Sequence, residues 1–273
     1  MQHTEGEAVS VRPGLPAPMR TKNRGLTRRI PLMLAVLLLG LAVKATASTP
    51  LTFTPLTFSS GQQQVHLLEL YTSEGCSSCP PADAWLATLR EHPQLWERIV
   101  PVAFHVDYWN YLGWKDPLSS HDNSRRQRQY KREGAVNAVY TPGFVYSGQE
   151  WRDWFSSKEL PQHNAVAGSL TVSIDNGRLA ASYNTGATTQ TLQLQVALLG
   201  FDLTTAVRGG ENRGKDLTHQ FAVLAHEAIV SKNNRWSLPL PKTDLTPERL
   251  GLAVWVTTPD SQQPLQATGG WLP

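Results

Sequence analysis

Cysteine is scarce in this sequence, since Cys76 and Cys79 are the only two among 273 residues. Two cysteines exclude any relay of disulfide exchange to a third cysteine within the chain. The H-E-x-x-H, G-x-S-x-G and Walker A patterns are absent as well, which removes the signals for those metalloprotease, hydrolase and nucleotide-binding chemistries. The sequence therefore directs attention to one pair of thiols.

The apolar run near the N-terminus is too short to predict a membrane span. It covers residues 32–43, fewer than the roughly 18–20 residues that a membrane helix needs. Basic residues precede it, and Ala45-Thr46-Ala47 follows as a small-x-small cleavage site. These features predict a signal peptide over residues 1–47, cleaved after Ala47, and a periplasmic or secreted protein. An uncleaved anchor, and a true start at Met19, are the alternatives.

The predicted mature chain has no large excess of positive charge. Residues 1–47 hold seven of the 25 Lys and Arg residues and two of the 22 Asp and Glu residues, so 18 basic and 20 acidic residues remain. This balance gives no evidence for binding nucleic acid or acidic lipid. Export also implies an oxidising compartment, where two nearby cysteines form a disulfide unless something reduces them.

The two cysteines lie between a predicted buried strand, residues 65–71, and a predicted helix opened by Pro80 and Pro81. The start of a helix favours a thiolate on Cys76. A C-x-x-C beside a strand–helix unit is typical of a thioredoxin-like redox motif. The spacing predicts a Cys76–Cys79 disulfide in which Cys76 is the exposed attacking thiolate and Cys79 the buried resolving thiol. A structural disulfide without turnover and a metal-binding pair are the alternatives.

A second buried strand, predicted at residues 99–106, completes a strand–helix–strand crossover. A helix is predicted from Ser119 or Ser120 to about Glu133. From residue 168 the chain alternates short strands with turns, which is typical of a sandwich-like β domain. We therefore predict a lead-in over residues 48–64, an α/β thioredoxin-like domain over 65–167 with a large insertion at 107–138, and a small all-β domain over 168–273.

Three segments resemble the DUF1223 family of exported proteins of uncharacterised function, which is placed in the thioredoxin-like superfamily. They are ELYTSEGCSSCPPADAWL at residues 69–86, AFHVDYWNYLGWKDP at 103–117 and VYTPGFVYSG at 139–148, with ENRG at 211–214 as a weaker fourth segment. The resemblance implies a thioredoxin-like fold and no established reaction.

The resemblance also implies a cis peptide bond between Thr141 and Pro142, beside Cys76, where an extended substrate strand could pair. An ordinary trans turn proline is the alternative. The dipeptide Ser77-Ser78 departs from the usual thioredoxin pattern, because it supplies neither a histidine cation nor a rigid proline.

Six further residues complete the predicted site. Glu69, inside the first strand, is the candidate proton acceptor for Cys79, unless it faces outward and pairs with a surface cation. The other candidates follow or end the second strand: His105, Asp107, Trp109, Trp114 and Asp116. The two tryptophans could wall a substrate groove, and the other three could support it. A core histidine, turn-capping aspartates and packing tryptophans are the alternative interpretation.

These observations predict a thiol–disulfide oxidoreductase that acts on exported protein or peptide thiols, needs no cofactor, and exchanges electrons with a redox partner protein if it has one. Neither nucleic acid nor stable membrane insertion after cleavage is expected. A non-catalytic partner-binding module with a structural disulfide is the first alternative. Copper(I) binding through Cys76, Cys79 and His105 is the second.

Overall fold

The computed structural model describes residues 55–161, 164–186 and 190–273. The predicted signal peptide and residues 48–54 of the predicted lead-in lie outside this part of the chain. Within it, no helix has the length and apolar character that a membrane crossing requires.

Fourteen strands and two α-helices make up most of the regular structure of the described residues. The helices are α1, Pro80–Thr88, and α2, His121–Arg132. The strands are β1 Leu56–Ser59, β2 His66–Thr72, β3 Ile99–His105, β4 Gly143–Tyr146, β5 Gln149–Glu150, β6 Ser169–Asp175, β7 Arg178–Asn184, β8 Leu192–Phe201, β9 Leu203–Ala206, β10 Asp216–His219, β11 Ala222–Ser231, β12 Arg235–Pro239, β13 Arg249–Thr257 and β14 Gln266–Trp271.

Eight of these strands form one mixed sheet in the order β14-β13-β8-β11-β3-β2-β4-β5. Strands β2 and β3 are parallel and are joined through α1, as predicted. A four-stranded antiparallel sheet, β1-β6-β7-β12, packs its apolar face against β8 and β13. Strands β9 and β10 form a separate hairpin. The molecule is therefore largely β, with its helices covering part of one sheet.

The predicted fold class, an α/β thioredoxin-like domain followed by a small all-β domain, is wrong. Strand β3 keeps a free edge after pairing with β2, and β11 from the C-terminal half occupies that edge through Ala103 and Ala222. The backbone N–H of Ala103 donates to the carbonyl of Phe221 at 2.8 Å. Strands from both sides of residue 168 thus share one sheet. The reason is that the unpaired N–H and C=O groups along a strand edge can pair with any strand that the chain brings beside them.

Helix α2 is held to the sheet by a buried ion pair. The guanidinium of Arg126 donates to both carboxylate oxygens of Glu69, at 2.8 and 3.2 Å. The hydroxyls of Tyr71 and Tyr130 donate to the same carboxylate. Burial and the neighbouring Glu69 charge raise the pKa of both tyrosines, so they remain donors. Both oxygens of the buried Glu69 carboxylate therefore accept hydrogen bonds.

Replacing Arg126 by methionine should destabilise the protein by about 3–5 kcal/mol, because Glu69 would be left charged and buried without its cation. Urea unfolding measures the loss. The matched control is Arg125→Met on the same helix, where the ion pair with Asp122 is exposed and is worth less than about 1 kcal/mol. Equal losses in the two variants would contradict the proposed role of the buried pair.

The imidazole of His226 makes the stability depend on pH. Burial, followed by the positive charge of Arg126, lowers the pKa of His226 from 6.5 to about 3. The unfolded chain therefore binds this proton as the pH falls below about 6.5, whereas the folded protein does not, so stability is lost on acidification. Between about pH 7.5 and pH 5.5, His226→Gln should lose about 1 kcal/mol less stability than the wild type in urea titrations. Parallel losses would show that His226 does not contribute.

Candidate functional site

Cys76 and Cys79 form a disulfide, as predicted, in the turn that leads into α1. The backbone N–H of Cys79 donates to the carbonyl of Cys76 at 3.2 Å, and that of Cys76 donates to the carbonyl of Ser73 at 3.2 Å. Both cysteines are 0% exposed, whereas Ser77 and Ser78 between them are exposed. The prediction that Cys76 is the exposed member of the pair is therefore wrong for the disulfide form.

The start of α1 offers the sulfur atoms fewer free backbone N–H groups than the position of the cysteines before a helix suggests. Pro80 and Pro81 carry no N–H group, and the N–H groups of Ala82 and Asp83 donate to the carbonyl of Cys79. The helix terminus contributes its dipole, but no free backbone donor from these four residues. Among the described residues, one side-chain hydrogen bond reaches a sulfur atom, and it joins the hydroxyl of Ser78 to Cys76 Sγ at 3.4 Å.

Residues 208–215, which connect β9 to β10, cover this turn and are called the cap loop here. The amide of Asn212 donates to the carbonyls of Glu74 and Cys76 at 3.0 and 2.8 Å. The carboxylate of Glu211 accepts from the backbone N–H and the hydroxyl of Ser77 at 2.8 and 2.7 Å. These bonds from Ser77 lower the pKa of Glu211. The ENRG segment, at residues 211–214, thus supplies the bonds that close the cap loop over the disulfide turn.

Two glycines let the cap loop approach so closely. A Cβ atom on Gly209 would lie 2.5 Å from the carbonyl oxygen of Gly113, and Gly210 has a φ of +69° and packs against Gly75. No side chain fits the first position without displacing backbone, and the second has a conformation that favours glycine.

A buried polar network lies beside the same turn. Glu74, next to the turn, accepts from the indole of Trp114 at 2.7 Å and bonds His219 Nε2 at 3.1 Å. His105 Nδ1 bonds Asp116 Oδ2 at 2.7 Å, and the backbone N–H of Glu74 donates to that same oxygen at 2.9 Å. The two imidazole rings are 4.7 Å apart. The network joins the disulfide turn, β3, the insertion and β10.

In this network, His105 and Asp116 each favour the charged form of the other. Burial opposes a charge on His105, but Asp116, through its charge and its hydrogen bond, and the charges of Asp83 and Glu74 together outweigh burial and raise the pKa of His105. Burial likewise opposes the charge of Asp116, and the contact with His105 together with the backbone N–H groups of Glu74 and Leu118 lowers the pKa of that carboxyl. Asp83, which accepts from the hydroxyl of Thr72 at 2.8 Å, has its pKa raised by burial.

Asp83, His105 and His219 offer three ligand atoms that lie within 4.8 Å of one another. Neither Cys76 nor Cys79 belongs to this group or to another such group in the described residues. The set Cys76, Cys79 and His105 considered for copper(I) is thus not assembled, because the two sulfur atoms are bonded to each other.

The other predicted site residues divide into two groups. The Thr141–Pro142 bond is cis, as predicted, and the indole of Trp109 donates to Thr141 Oγ1 at 2.8 Å while its Cβ packs near Gly75. Trp109 therefore links the cis proline to the disulfide turn.

The second group, Glu69 and Asp107, points away from the disulfide. Glu69 bonds Arg126 on the face of the sheet opposite Thr72 and α1, so the structure does not bring its carboxylate to Cys79. Asp107 bonds the hydroxyl of Ser124 and faces His121 at the start of α2. Neither residue joins the network around the disulfide.

Sequence reasoning missed Glu74, Asp83, Glu211, Asn212 and His219. Glu74 and Asp83 lie inside the segment 69–86, and Glu211 and Asn212 lie in ENRG, so the resemblance marked their positions without giving them a role. No sequence signal distinguishes His219, which ends an ordinary short strand.

A cleft of about 800 Å³ lies between α2 and strands β8 and β11, and it is lined mainly by polar groups that include Arg126 and Gln195. Its lining includes neither cysteine nor any of Asp83, His105 and His219. We therefore place the candidate site at the disulfide turn, where the reactive groups are, and not in this cleft.

The fold and site together define a largely β protein that buries one C-x-x-C disulfide beside a histidine–carboxylate network. The family model for "Protein of unknown function (DUF1223)" matches residues 67–257. The chain therefore belongs to the DUF1223 family, which confirms the resemblance seen in its motifs.

Two solved structures share the fold. Protein AGR_C_4864 from Agrobacterium tumefaciens is 24% identical, with 76% of this chain and 94% of that chain covered and a TM-score of 0.55. HBP35 of Porphyromonas gingivalis is 12% identical, with 78% and 76% covered and a TM-score of 0.51. At these identities the likeness concerns the fold alone. No curated protein matches the chain.

Asn212→Ala should loosen the cap loop, because the carbonyls of Glu74 and Cys76 lose their shared donor. We expect a stability loss of about 1–3 kcal/mol and roughly tenfold faster reduction of the disulfide by dithiothreitol. Alkylation and mass spectrometry follow the reduction, and urea titration follows stability. The control is Asn233→Ala, an exposed asparagine that bonds only within its own turn. Equal reduction rates in both variants would show that the cap loop does not limit access.

Proposed function

We propose that the protein is a thiol–disulfide exchange protein that works through Cys76 and Cys79 on the thiols or disulfides of exported proteins or peptides. The observation that carries the proposal is that the turn is held by bonds that do not involve sulfur. The Cys79 N–H to Cys76 carbonyl bond, the Cys76 N–H to Ser73 carbonyl bond and the two bonds from Asn212 would all remain after reduction. The pair can then open and close without unfolding its surroundings.

The small size of the disulfide ring supports the same conclusion. A disulfide that joins residues three positions apart removes about 2 kcal/mol of chain entropy from the unfolded state, less than the about 3 kcal/mol of a 15-residue loop. The ring therefore contributes less to stability than a disulfide that closes a longer loop, which favours a chemical role over a mechanical one.

In the reducing direction, the Cys76 thiolate attacks a substrate disulfide and forms a mixed disulfide, and one substrate thiolate leaves. The Cys79 thiolate then attacks Cys76 Sγ, releases the second substrate thiolate and restores the Cys76–Cys79 bond. Two electrons pass to the substrate, and an external dithiol, the redox partner, returns them. The oxidising direction is the reverse of these steps. Because both sulfurs are buried in the disulfide form, each cycle requires the cap loop to move.

The surroundings supply the parts such a cycle needs. The exposed Ser77-Ser78 edge and the neighbouring Thr141–Pro142 segment are where we place the substrate chain, with Trp109 and Trp114 behind it. The signal-like N-terminal sequence supports an activity in the periplasm or outside the cell, where a disulfide persists.

A static clip in a partner-binding protein is the second candidate, and the complete burial of both sulfur atoms favours it. The reduction potential separates the two candidates. A structural disulfide lies below about −300 mV, whereas a pair that exchanges with other proteins lies above that value.

The decisive experiment equilibrates the protein in graded dithiothreitol or glutathione buffers and follows insulin reduction with dithiothreitol as the electron donor. We expect a reversible two-electron transition above about −300 mV, and turnover that is lost in Cys76→Ser and Cys79→Ser. Cys79→Ser should also accumulate a mixed disulfide, because the resolving thiol is gone. Reduced wild-type protein blocked with iodoacetamide is the matched control. Turnover equal to that of the blocked protein would reject the exchange function and leave the clip.

A further inference from the structure

The imidazoles of His105 and His219 each use one ring nitrogen and leave the other without a partner. His105 Nδ1 bonds Asp116 and His219 Nε2 bonds Glu74, both within hydrogen-bonding distance. His105 Nε2 and His219 Nδ1 are buried and have no hydrogen-bond partner among the described residues. The side chains are 1% and 3% exposed, so bulk water does not serve these atoms.

A buried polar atom without a partner is unfavourable, and these two nitrogens differ from the other unpartnered buried atoms of the described residues, such as His226 Nε2, because their side chains share a cluster of potential ligands. Both histidines belong to the one such group among the described residues, whose third member is Asp83, and one ligand atom from each of the three side chains lies within 4.8 Å of the other two. Three lone-pair donors thus converge on one small space.

The partners behind these atoms match those of a metal centre. A carboxylate that accepts from the far nitrogen of a histidine fixes its tautomer, so that the near nitrogen presents its lone pair. Asp116 stands in this position behind His105, and Glu74 stands in it behind His219. Thr72 donates to Asp83 Oδ2 at 2.8 Å and orients the third ligand in the same way.

We propose that Asp83, His105 and His219 form a binding site for a divalent transition metal, with Zn²⁺ as the ion to test first. Two imidazoles and one carboxylate are a ligand set of catalytic zinc and non-haem iron centres, and they leave coordination positions open for water or substrate. Tetrahedral ligands bound at about 2.0–2.1 Å lie about 3.4 Å apart, so the three atoms draw together around the ion. The site is separate from the disulfide, because no sulfur atom belongs to it.

The test uses the purified protein without a polyhistidine tag and with its disulfide intact, so that the sulfur atoms cannot act as thiolate ligands. After chelator treatment it is titrated with Zn²⁺ against a chromophoric chelator, and with Co²⁺ to record the visible spectrum. We expect one ion per chain. His105→Ala and His219→Ala should each weaken binding by more than about 100-fold, and Asp116→Asn by about 10–100-fold.

His226→Gln is the matched control, since it removes another histidine of the sheet and should bind Zn²⁺ as the wild type does. Thermal unfolding of the wild type gives a second readout that depends on no variant, because saturating Zn²⁺ at about 100 times the Kd should stabilise the fold by about 2.7 kcal/mol.

Three results would overturn the proposal. One is a wild type that shows no saturable binding and no thermal shift, as expected if a water molecule bridges the three groups. Another is binding that survives in the His105→Ala/His219→Ala double variant. The last is binding that falls equally in His226→Gln, which would mark it as nonspecific.

Discussion

The pairing of β3 with β11 is the contact on which the candidate site depends. It is a short parallel contact, through Ala103 and Ala222, and it joins the two halves of the sequence into one sheet. His105 lies two residues beyond Ala103, and His219 lies three residues before Ala222. In a parallel pair these two positions lie in opposite directions from the contact, so the register alone does not bring them together. The chain bends at residues 220 and 221, where Phe221 has a φ of +57°, and the two imidazoles lie 4.7 Å apart.

The same contact explains why one hairpin supplies both the cap loop and His219 to the site. Strands β9 and β10 directly precede β11 in the chain. The pairing of β11 with β3 therefore also positions this hairpin beside the disulfide turn. Its connection, the cap loop, closes over Cys76 and Cys79, and its last residue, His219, enters the buried network through Glu74. Glu74 links the cap loop to the buried network, since its carbonyl accepts from Asn212 and its carboxylate bonds His219. The site is thus built from segments almost 150 residues apart in sequence.

The local structure was largely predictable from the sequence, and the assembly was not. Apolar runs and turn residues predicted β2, β3, α1 and α2, the C-x-x-C spacing predicted the disulfide, and the family resemblance implied the cis bond. These signals act within a few residues. Which strand occupies the free edge of β3 is decided by long-range packing, which sequence periodicity does not report, so the two halves were predicted to be separate domains. Arg126 shows the same limit, because its surroundings on a basic helix gave no sign that it turns inward to Glu69.

The proposed exchange cycle and the proposed metal centre would place different demands on the β9–β10 hairpin, and these fall on different parts of it. Access to the sulfur atoms would require movement of the tip, where Glu211 and Asn212 hold the turn by a few hydrogen bonds. His219 is fixed at the other end of the hairpin, where it pairs with Leu203 in the ladder and bonds Glu74 below the turn. The glycines at 209 and 210 lie between the strands and the tip and make close backbone contacts without side chains of their own. A cap loop that opened at its tip while its strands stayed paired would let the disulfide react, as proposed, without taking His219 away from His105 and Asp83.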